Sequence, residues 1–233
     1  MILTRSLQGW AEVFASILAE EGIPAYSVSR EGYFETYEVS VLLDYLKVLD
    51  NARQDLPLTA VLTSPFAGLT AAELSVIRLA YPNQLFYEAV EGFCSLSPEE
   101  IPETVDKKQA IQVQEKLRKF FVVLDHFREI LPYTAIHDLL AEIIDKTGYG
   151  LFISAMPGGA QRQANVEMLV EKARAFEGTS YKGLFNFVRY IEQLKKYDVD
   201  YGEASIIDEQ DDTVRIMSCL LYTSPSPRDG LLS

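Results

Sequence analysis

The sequence of 233 residues predicts a mainly α-helical protein that also contains a few parallel β-strands. Two observations lead to this prediction. Over the first 50 residues, short apolar runs alternate with amphipathic stretches, which is the order expected of a parallel α/β sheet. From residue 51 to residue 212, helical segments follow one another between Pro, Gly and Ser residues, and a β-like run returns only at 213–218.

The α/β part begins with an apolar strand at residues 2–4. Apolar residues at helical spacing then predict a helix over residues 9–21, and Gly22 is placed to end it. A second strand is predicted at residues 25–28. A helix over residues 36–51 follows, with its apolar side chains on one stripe.

The helical part is divided by recognisable start and stop signals. Pro57 favours a helix start, Thr70 and Glu73 form a capping-box pattern, and Gly148 is a helix stop. The predicted helices cover residues 56–64, 70–79, 85–94, 109–131, 134–147, 160–177 and 181–197. An acidic linker is predicted at 97–106.

Composition restricts the classes of protein that fit. The net charge of −13 argues against a non-specific nucleic-acid coat, although it leaves room for a local DNA-binding groove. Two cysteines are too few for a disulfide framework or a four-ligand metal site, which fits a reduced cytoplasm. No apolar run reaches about 18 residues, so no membrane span is expected.

The order of elements at the start of the chain carries a resemblance. Residues 1–6 read MILTRS, with an arginine at the strand exit, and residues 32–51 read GYFETYEVSVLLDYLKVLDN. This order resembles the second motor lobe of superfamily 1 DNA helicases of the UvrD/RecB type. Gly-Trp at 9–10, Gly-Ile-Pro at 22–24 and Gly-Tyr-Phe at 32–34 point more narrowly to the AddA branch of that family, the helicase–nuclease subunits.

The resemblance implies a domain organisation. In these helicases a RecA-like α/β motor lobe is interrupted by a large all-helical insertion and resumes with a strand that reads roughly V-x-x-M-T. The resemblance therefore implies a first lobe segment at 1–50, an insertion at 51–212 and a return strand at 213–218. Residues 219–233 begin CLLYTSPSPRD, which resembles a translated sequencing adapter; a natural Pro/Ser-rich tail is the alternative.

Arg5 is the first candidate site residue. It follows a strand at the position where α/β motors place groups that face a nucleotide, and a guanidinium can bond two phosphate oxygens at once. The resemblance implies that Arg5 contacts the γ-phosphate of ATP and contributes to hydrolysis. The alternative is an ordinary surface arginine.

Glu38 is the second candidate, with Tyr33 and Phe34 before it. The resemblance places this segment near the nucleotide, so Glu38 is a candidate cofactor-binding residue. The alternatives are that Glu38 pairs with a basic group or supports its helix N-terminus. For Tyr33 and Phe34, packing is favoured over stacking on bases.

Gly158, Gly159, Arg162 and Asn165 form a third candidate group, in a run that resembles the Gly-Gly-x-x-Arg-x-Ala-Asn motif of the family's insertion. Glycines and a helix start favour phosphate, so these residues are candidate DNA contacts. In the alternative interpretation, Arg162 and Asn165 brace the helix. A basic set at Lys107, Lys108, Lys116, Arg118 and Lys119 is interpreted as a solvated helix face rather than a duplex-binding surface.

The resemblance also implies the activity of a longer protein. That protein is expected to be a bacterial, cytoplasmic, ATP-dependent DNA helicase with exonuclease activity, which processes double-strand ends for recombinational repair. It would use ATP and Mg²⁺, pair with a subunit of the AddB type, and possess an iron–sulfur cluster in a C-terminal nuclease domain. This chain lacks a G-x-x-x-x-G-K-[ST] loop, so it is expected to be an inactive fragment. The alternatives are a UvrD/PcrA-type helicase without nuclease, or a non-catalytic helical interaction module.

Overall fold

A computed structural model describes residues 2–4, 13–14, 17–18, 21–23, 25–27, 32–103, 105–179, 181–196 and 214–218. The chain forms two compact units. One combines Met1–Gly32 with Ser205–Ser233, and the other is Tyr33–Ala204.

The first unit contains a three-stranded parallel sheet. Its strands are β1 (Ile2–Thr4), β2 (Ala25–Ser27) and β3 (Val214–Ser218), in the order β1-β3-β2. Ile216 of β3 pairs with Ile2 of β1 and with Ser27 of β2, and its side chain is fully buried. The strand that comes last in the sequence therefore lies in the centre of the sheet, and the parallel sheet predicted from the sequence is present.

The helix predicted over residues 9–21 lies largely outside the described residues. Its described positions, 13–14 and 17–18, are helical. Its end is visible, since the Ile23 N–H donates to the Leu18 carbonyl at 2.8 Å while Gly22 adopts a left-handed φ of 72°. Gly22 thus ends the helix as the sequence predicts.

The second unit is helical. Within the described residues its α-helices are α1 (Tyr37–Asp50), α2 (Asp55–Thr63), α3 (Ala71–Ala80), α4 (Phe86–Ser95), α5 (Lys107–Ile130), α6 (Ile136–Lys146), α7 (Tyr149–Ser154), α8 (Gly159–Glu177) and α9 (Leu184–Lys196). Short 3₁₀ turns cover Tyr33–Glu35 and Leu131–Tyr133. No helix in the described part of the chain is long and apolar enough to cross a membrane.

Local signals set most of the helix ends. The Thr70 hydroxyl accepts from the Glu73 N–H, and the Glu73 carboxylate accepts from the Thr70 N–H at 2.8 Å, which confirms the predicted capping box. Asp106 caps the long helix α5 by accepting from two backbone N–H groups of its first turn.

Several helices begin at other residues than predicted, since α5 begins at Lys107 instead of residue 109 and α9 at Leu184 instead of residue 181, and one further helix was not predicted. Helix α2 begins at Asp55 rather than at Pro57, since the Leu58 N–H already bonds the Gln54 carbonyl, and Pro57 is tolerated because first-turn N–H groups have no helical partner. Gly148 ends α6 with a φ of 68°, but it also serves as the N-cap of α7, so the chain turns into a further helix that the sequence did not reveal.

Helix α1 is the centre of the helical unit. It packs against α2, α5, α8 and α9, and its buried residues extend beyond the predicted stripe to Val41, Tyr45 and Val48. A helix surrounded by other helices buries more than one face. Although the sequence assigns residues 37–50 to the motor lobe, their packing places them in the same compact unit as the helices that follow; the lobe boundaries stay a prediction.

Candidate functional site

The carboxyl edge of the small sheet is the first candidate region. Parallel strands end at the same edge, and here β1 ends at Thr4, which pairs with Ser218 at the end of β3. Arg5 directly follows Thr4 in the sequence but lies outside the described residues. The Thr4 hydroxyl is buried and has no hydrogen-bond partner among the described residues. Ligands of open α/β sheets bind beyond this edge.

A buried carboxylate forms the second region. Glu38 lies in the first turn of α1 and is only 2% exposed. Its Oε2 accepts from Arg162 Nη1 at 2.6 Å, and its Oε1 accepts from Asn165 Nδ2 at 2.7 Å. Both oxygens thus have a donor from the first turns of α8, as a buried charge requires. Of the alternatives for Glu38, the structure shows the pairing with a basic group.

Two buried tyrosines extend this network. The Tyr33 hydroxyl donates to the Asn165 carbonyl at 2.7 Å, and the Tyr149 hydroxyl donates to the Glu38 carbonyl at 3.0 Å. Burial raises the pKa of both hydroxyls well above the ordinary value, and the nearby Glu38 carboxylate adds to the rise. Both tyrosines therefore act as neutral donors. Because Tyr33 and Phe34 are buried, the favoured prediction that they pack is confirmed.

Gly158 and Gly159 lie at the start of α8, where the backbone geometry favours glycine. Gly158 is the N-cap of α8 with a left-handed φ of 70°, and open space surrounds the place where its Cβ would be. At Gly159, a Cβ would approach the Ser154 carbonyl oxygen to 2.1 Å, so only glycine fits. In this structure the backbone at Gly159 packs closely against the end of α7, and contact with a phosphate stays a prediction.

A lysine-lined groove lies elsewhere on the helical unit. It encloses about 280 Å³ and includes Lys116, Lys119 and Lys146 beside Phe66 and Tyr45. Lys116 is not simply solvated, because its Nζ bonds the Glu73 carboxylate at 2.8 Å and the Gly68 carbonyl. The buried Tyr45 hydroxyl has no hydrogen-bond partner among the described residues, and burial raises its pKa. The groove combines cationic, apolar and unsatisfied polar groups.

The two histidines have carboxylate neighbours. His126 lies near Glu142, and His137 pairs with Glu177, so both are helical residues with carboxylate partners. Across the described ranges, no group of three or more His, Cys, Asp or Glu side chains is placed to hold a metal ion.

Comparison with known proteins gives the family. Residues 1–218 match the UvrD-like helicase C-terminal domain family. The chain belongs to that family. A relative from Lachnoclostridium phytofermentans, named as the A subunit of an ATP-dependent helicase/nuclease, is 42% identical over an alignment covering 94% of this chain and 18% of the relative. Relatives with the same name from Oceanobacillus iheyensis and Heliobacterium modesticaldum are each 40% identical, again over 94% of this chain and over 17% and 16% of their own lengths.

The family assignment confirms the resemblance found in the sequence. The chain spans less than one fifth of the length of these relatives, at most 18%. The family match extends to Ser218, which is also the last residue of β3. The interpretation of residues 219–233 as adapter-derived stays a prediction, and these residues lie outside the described part of the chain.

The structure brings together Glu38, Arg162 and Asn165, three of the residues proposed from the sequence. Sequence analysis missed Tyr149 and Lys146, which belong to the buried network and to the groove. Tyr149 follows Gly148, whose left-handed conformation both ends α6 and begins α7, but in the sequence Gly148 indicates only a helix stop.

Proposed function

We propose that this chain forms part of the second motor lobe, with its helical insertion, of an ATP-dependent DNA helicase/nuclease that processes DNA ends for repair. The observation that carries the proposal is the position of β3. A strand that follows a long helical region returns to the centre of the sheet formed by the start of the chain, which is the order expected of an interrupted lobe. The names of the relatives and their identity of about 40% to this chain support the same function.

In this proposal Arg5 reaches the γ-phosphate of ATP from the carboxyl edge of the sheet. Its guanidinium would stabilise the charge that develops as the phosphoryl group leaves. The supporting observation is that β1 extends to Thr4, the residue directly before Arg5 in the sequence. Glu38 is a weaker candidate for nucleotide contact, because both of its oxygens bond α8 and it is almost fully buried.

DNA contacts are proposed for the helical unit. Arg162 and Gly158 reach the surface, whereas Asn165 is 1% exposed and its side chain bonds Glu38. A phosphate contact near the start of α8 would therefore rest on Arg162 and the backbone at Gly158 and Gly159. In the lysine-lined groove, Lys119 is the second candidate for a phosphate contact, because Lys116 already pairs with Glu73 and Lys146 with Glu142.

The remaining parts of the activity belong to the longer protein. Because the described residues include no cluster of metal ligands, Mg²⁺ would be held by residues from another part of that protein. We propose the same for an iron–sulfur cluster and for the exonuclease site. A partner of the AddB type and a bacterial cytoplasmic location complete the proposal.

The test requires the polypeptide that continues this chain on both sides, recovered from the source DNA. We expect its ATP hydrolysis to rise with single-stranded DNA. Arg5→Ala should lower kcat by about 1,000-fold, the scale measured for arginine fingers. The exposed Arg53 supplies a matched control, and Arg53→Ala should leave kcat unchanged.

Two outcomes would contradict the proposal. If Arg5→Ala hydrolyses ATP like the wild type, Arg5 is a surface arginine. If the native reading frame continues residues 219–233 and the chain has no lobe with a phosphate-binding loop, the helical interaction module becomes the better function. The chain of 233 residues alone should not hydrolyse ATP, because its sequence lacks that loop.

A further inference from the structure

The first residues of the helical unit are held in an unusual way. The chain passes from one compact unit to the other between Gly32 and Tyr33. Among the next six residues, Tyr33 and Glu38 form four long-range hydrogen bonds. Tyr33 forms one bond to α8, and Glu38 forms two bonds to α8 and one to α7. We propose that Tyr33, Glu38, Tyr149, Arg162 and Asn165, here called the Glu38 clamp, make the residues after the junction a rigid part of the helical unit.

The bonds of the clamp fix both ends of this segment. At residue 33, the Tyr33 hydroxyl bonds the Asn165 backbone carbonyl. At residue 38, the carboxylate bonds two side chains of α8 and the carbonyl accepts from Tyr149 of α7. Between these ends, the Thr36 hydroxyl bonds the Tyr33 carbonyl at 2.9 Å. Hydrogen bonds thus restrain the segment at both ends and at Thr36.

Because Glu38 is buried, the hydrogen bonds of the clamp depend on one another. A carboxylate removed from water is stable only while its donors remain in place, because an unpaired buried charge is far more costly than a broken surface pair. Loss of the Arg162 bond would leave Glu38 with one amide donor. The bonds should therefore open together rather than singly.

The donors are themselves held in position. Arg162 Nε donates to the Pro157 carbonyl at 3.0 Å, which fixes the guanidinium toward Glu38. Gln161 Nε2 donates to Asn165 Oδ1 at 3.1 Å, which orients the amide so that Nδ2 faces the carboxylate. Pre-arranged donors lose little side-chain entropy on bonding. The clamp thus favours one arrangement of residues 33–38, in which they keep their positions against α7 and α8.

Amide hydrogen exchange on the whole chain of 233 residues tests this proposal without ATP or DNA, so its outcome is independent of the proposed function. In the wild type, the N–H groups of residues 40–42 should exchange as slowly as those in the middle of α5, because Ser40 is the first residue of α1 whose N–H bonds a backbone carbonyl, that of Thr36. Glu38→Gln keeps the size of the side chain, but its N–H₂ group is a donor and would face Arg162 or Asn165, which also donate. We expect it to speed exchange at residues 40–42 by about 10- to 100-fold while α5 is unchanged.

A matched control is available in the same unit. Glu73 is a buried carboxylate that bonds Lys116 and the Thr70 N–H. Glu73→Gln should speed exchange near residues 70–75 and leave residues 40–42 as in the wild type. Arg162→Lys keeps the charge but loses the bond to Pro157, so it should give a smaller effect than Glu38→Gln at the same residues.

Two results would overturn the proposal. Uniformly faster exchange across all helices in Glu38→Gln would make Glu38 a general stabilising contact and not a clamp. Unchanged exchange at residues 40–42 would show that packing alone fixes the segment. If Glu38→Gln does not fold, Arg162→Lys decides between the same two results.

Discussion

The two units of this molecule are held together by contacts of different range along the sequence. The sheet unit depends on residues far apart in sequence, because its central strand β3 comes from the opposite end of the family-matching region from β1 and β2. The helical unit is continuous from Tyr33 to Ala204 and has a large apolar core around α1. The short central strand β3 is therefore essential for the sheet, because both other strands pair with it. Each helix of the helical unit, in contrast, is one of several that contribute to a common core.

The largest effect that separates the two units should come from the centre of the sheet. Ile216 is fully buried in β3, so Ile216→Ala should destabilise the sheet unit by about 2–5 kcal/mol. Amide exchange at residues 2–4 and 25–27 is the measurement, and Leu3→Ala, at a site that is 55% exposed, is the control. If helices α1 and α5 lose protection to the same extent, the two units unfold as one.

A smaller effect, confined to the helical unit, should come from the glycine pair. Gly159→Ala places a Cβ against the Ser154 carbonyl and should cost about 3 kcal/mol. Gly158→Ala has open space and meets only the left-handed backbone, so it should cost about 1 kcal/mol. Urea unfolding of the helical signal measures both. Equal costs would show that the end of α7 moves away from α8 freely.

The smallest expected effect is a pH dependence of stability that arises where Glu177 of α8 contacts the start of α6. Glu177 accepts from the Ile136 N–H at 2.6 Å and pairs with His137. Burial acts to raise the pKa of Glu177, but the bonds from His137 and the backbone outweigh it and hold the pKa below the ordinary value of 4.5. A lowered folded-state pKa stabilises the protein above pH 4.5, and that stability is lost as pH falls further.

Glu177→Gln should therefore be less stable than the wild type at pH 7, by an amount that shrinks as pH falls below 4.5. Thermal unfolding between about pH 3 and pH 7 would measure it, on the order of a few degrees or less in Tm. Glu171→Gln, at an exposed pair with Arg174, is the control. A difference that grows on acidification would contradict the assigned direction.

Much of the fold can be predicted from local sequence. The capping box at Thr70 and Glu73, the helix end at Gly22 and the stop at Gly148 each depend on a few neighbouring residues, and the structure has all three. Helix α7 was missed because a glycine that stops one helix does not reveal whether another begins directly after it. The start of α2 was misplaced because a proline is tolerated throughout the first turn of a helix.

The candidate sites could be predicted from sequence only in part. Glu38, Arg162 and Asn165 were each identified as candidates, but the sequence left open whether they bind a ligand or one another. Their mutual bonding depends on α1 and α8 packing side by side, over separations of 124 and 127 residues. The groove lysines come from two helices, so no local pattern joins Lys119 with Lys146.

Sequence alone was enough to establish the family, the succession of strands and helices and most helix ends, because these depend on motifs and on interactions between residues a few positions apart. Tertiary structure decided that β3 lies between β1 and β2, that α1 belongs to the packing of the helical unit, and that Glu38 is a buried ion-pair partner. The physical reason is the same in each case. Burial and long-range hydrogen bonding depend on which parts of the chain pack together, and a local sequence pattern is compatible with many such packing partners.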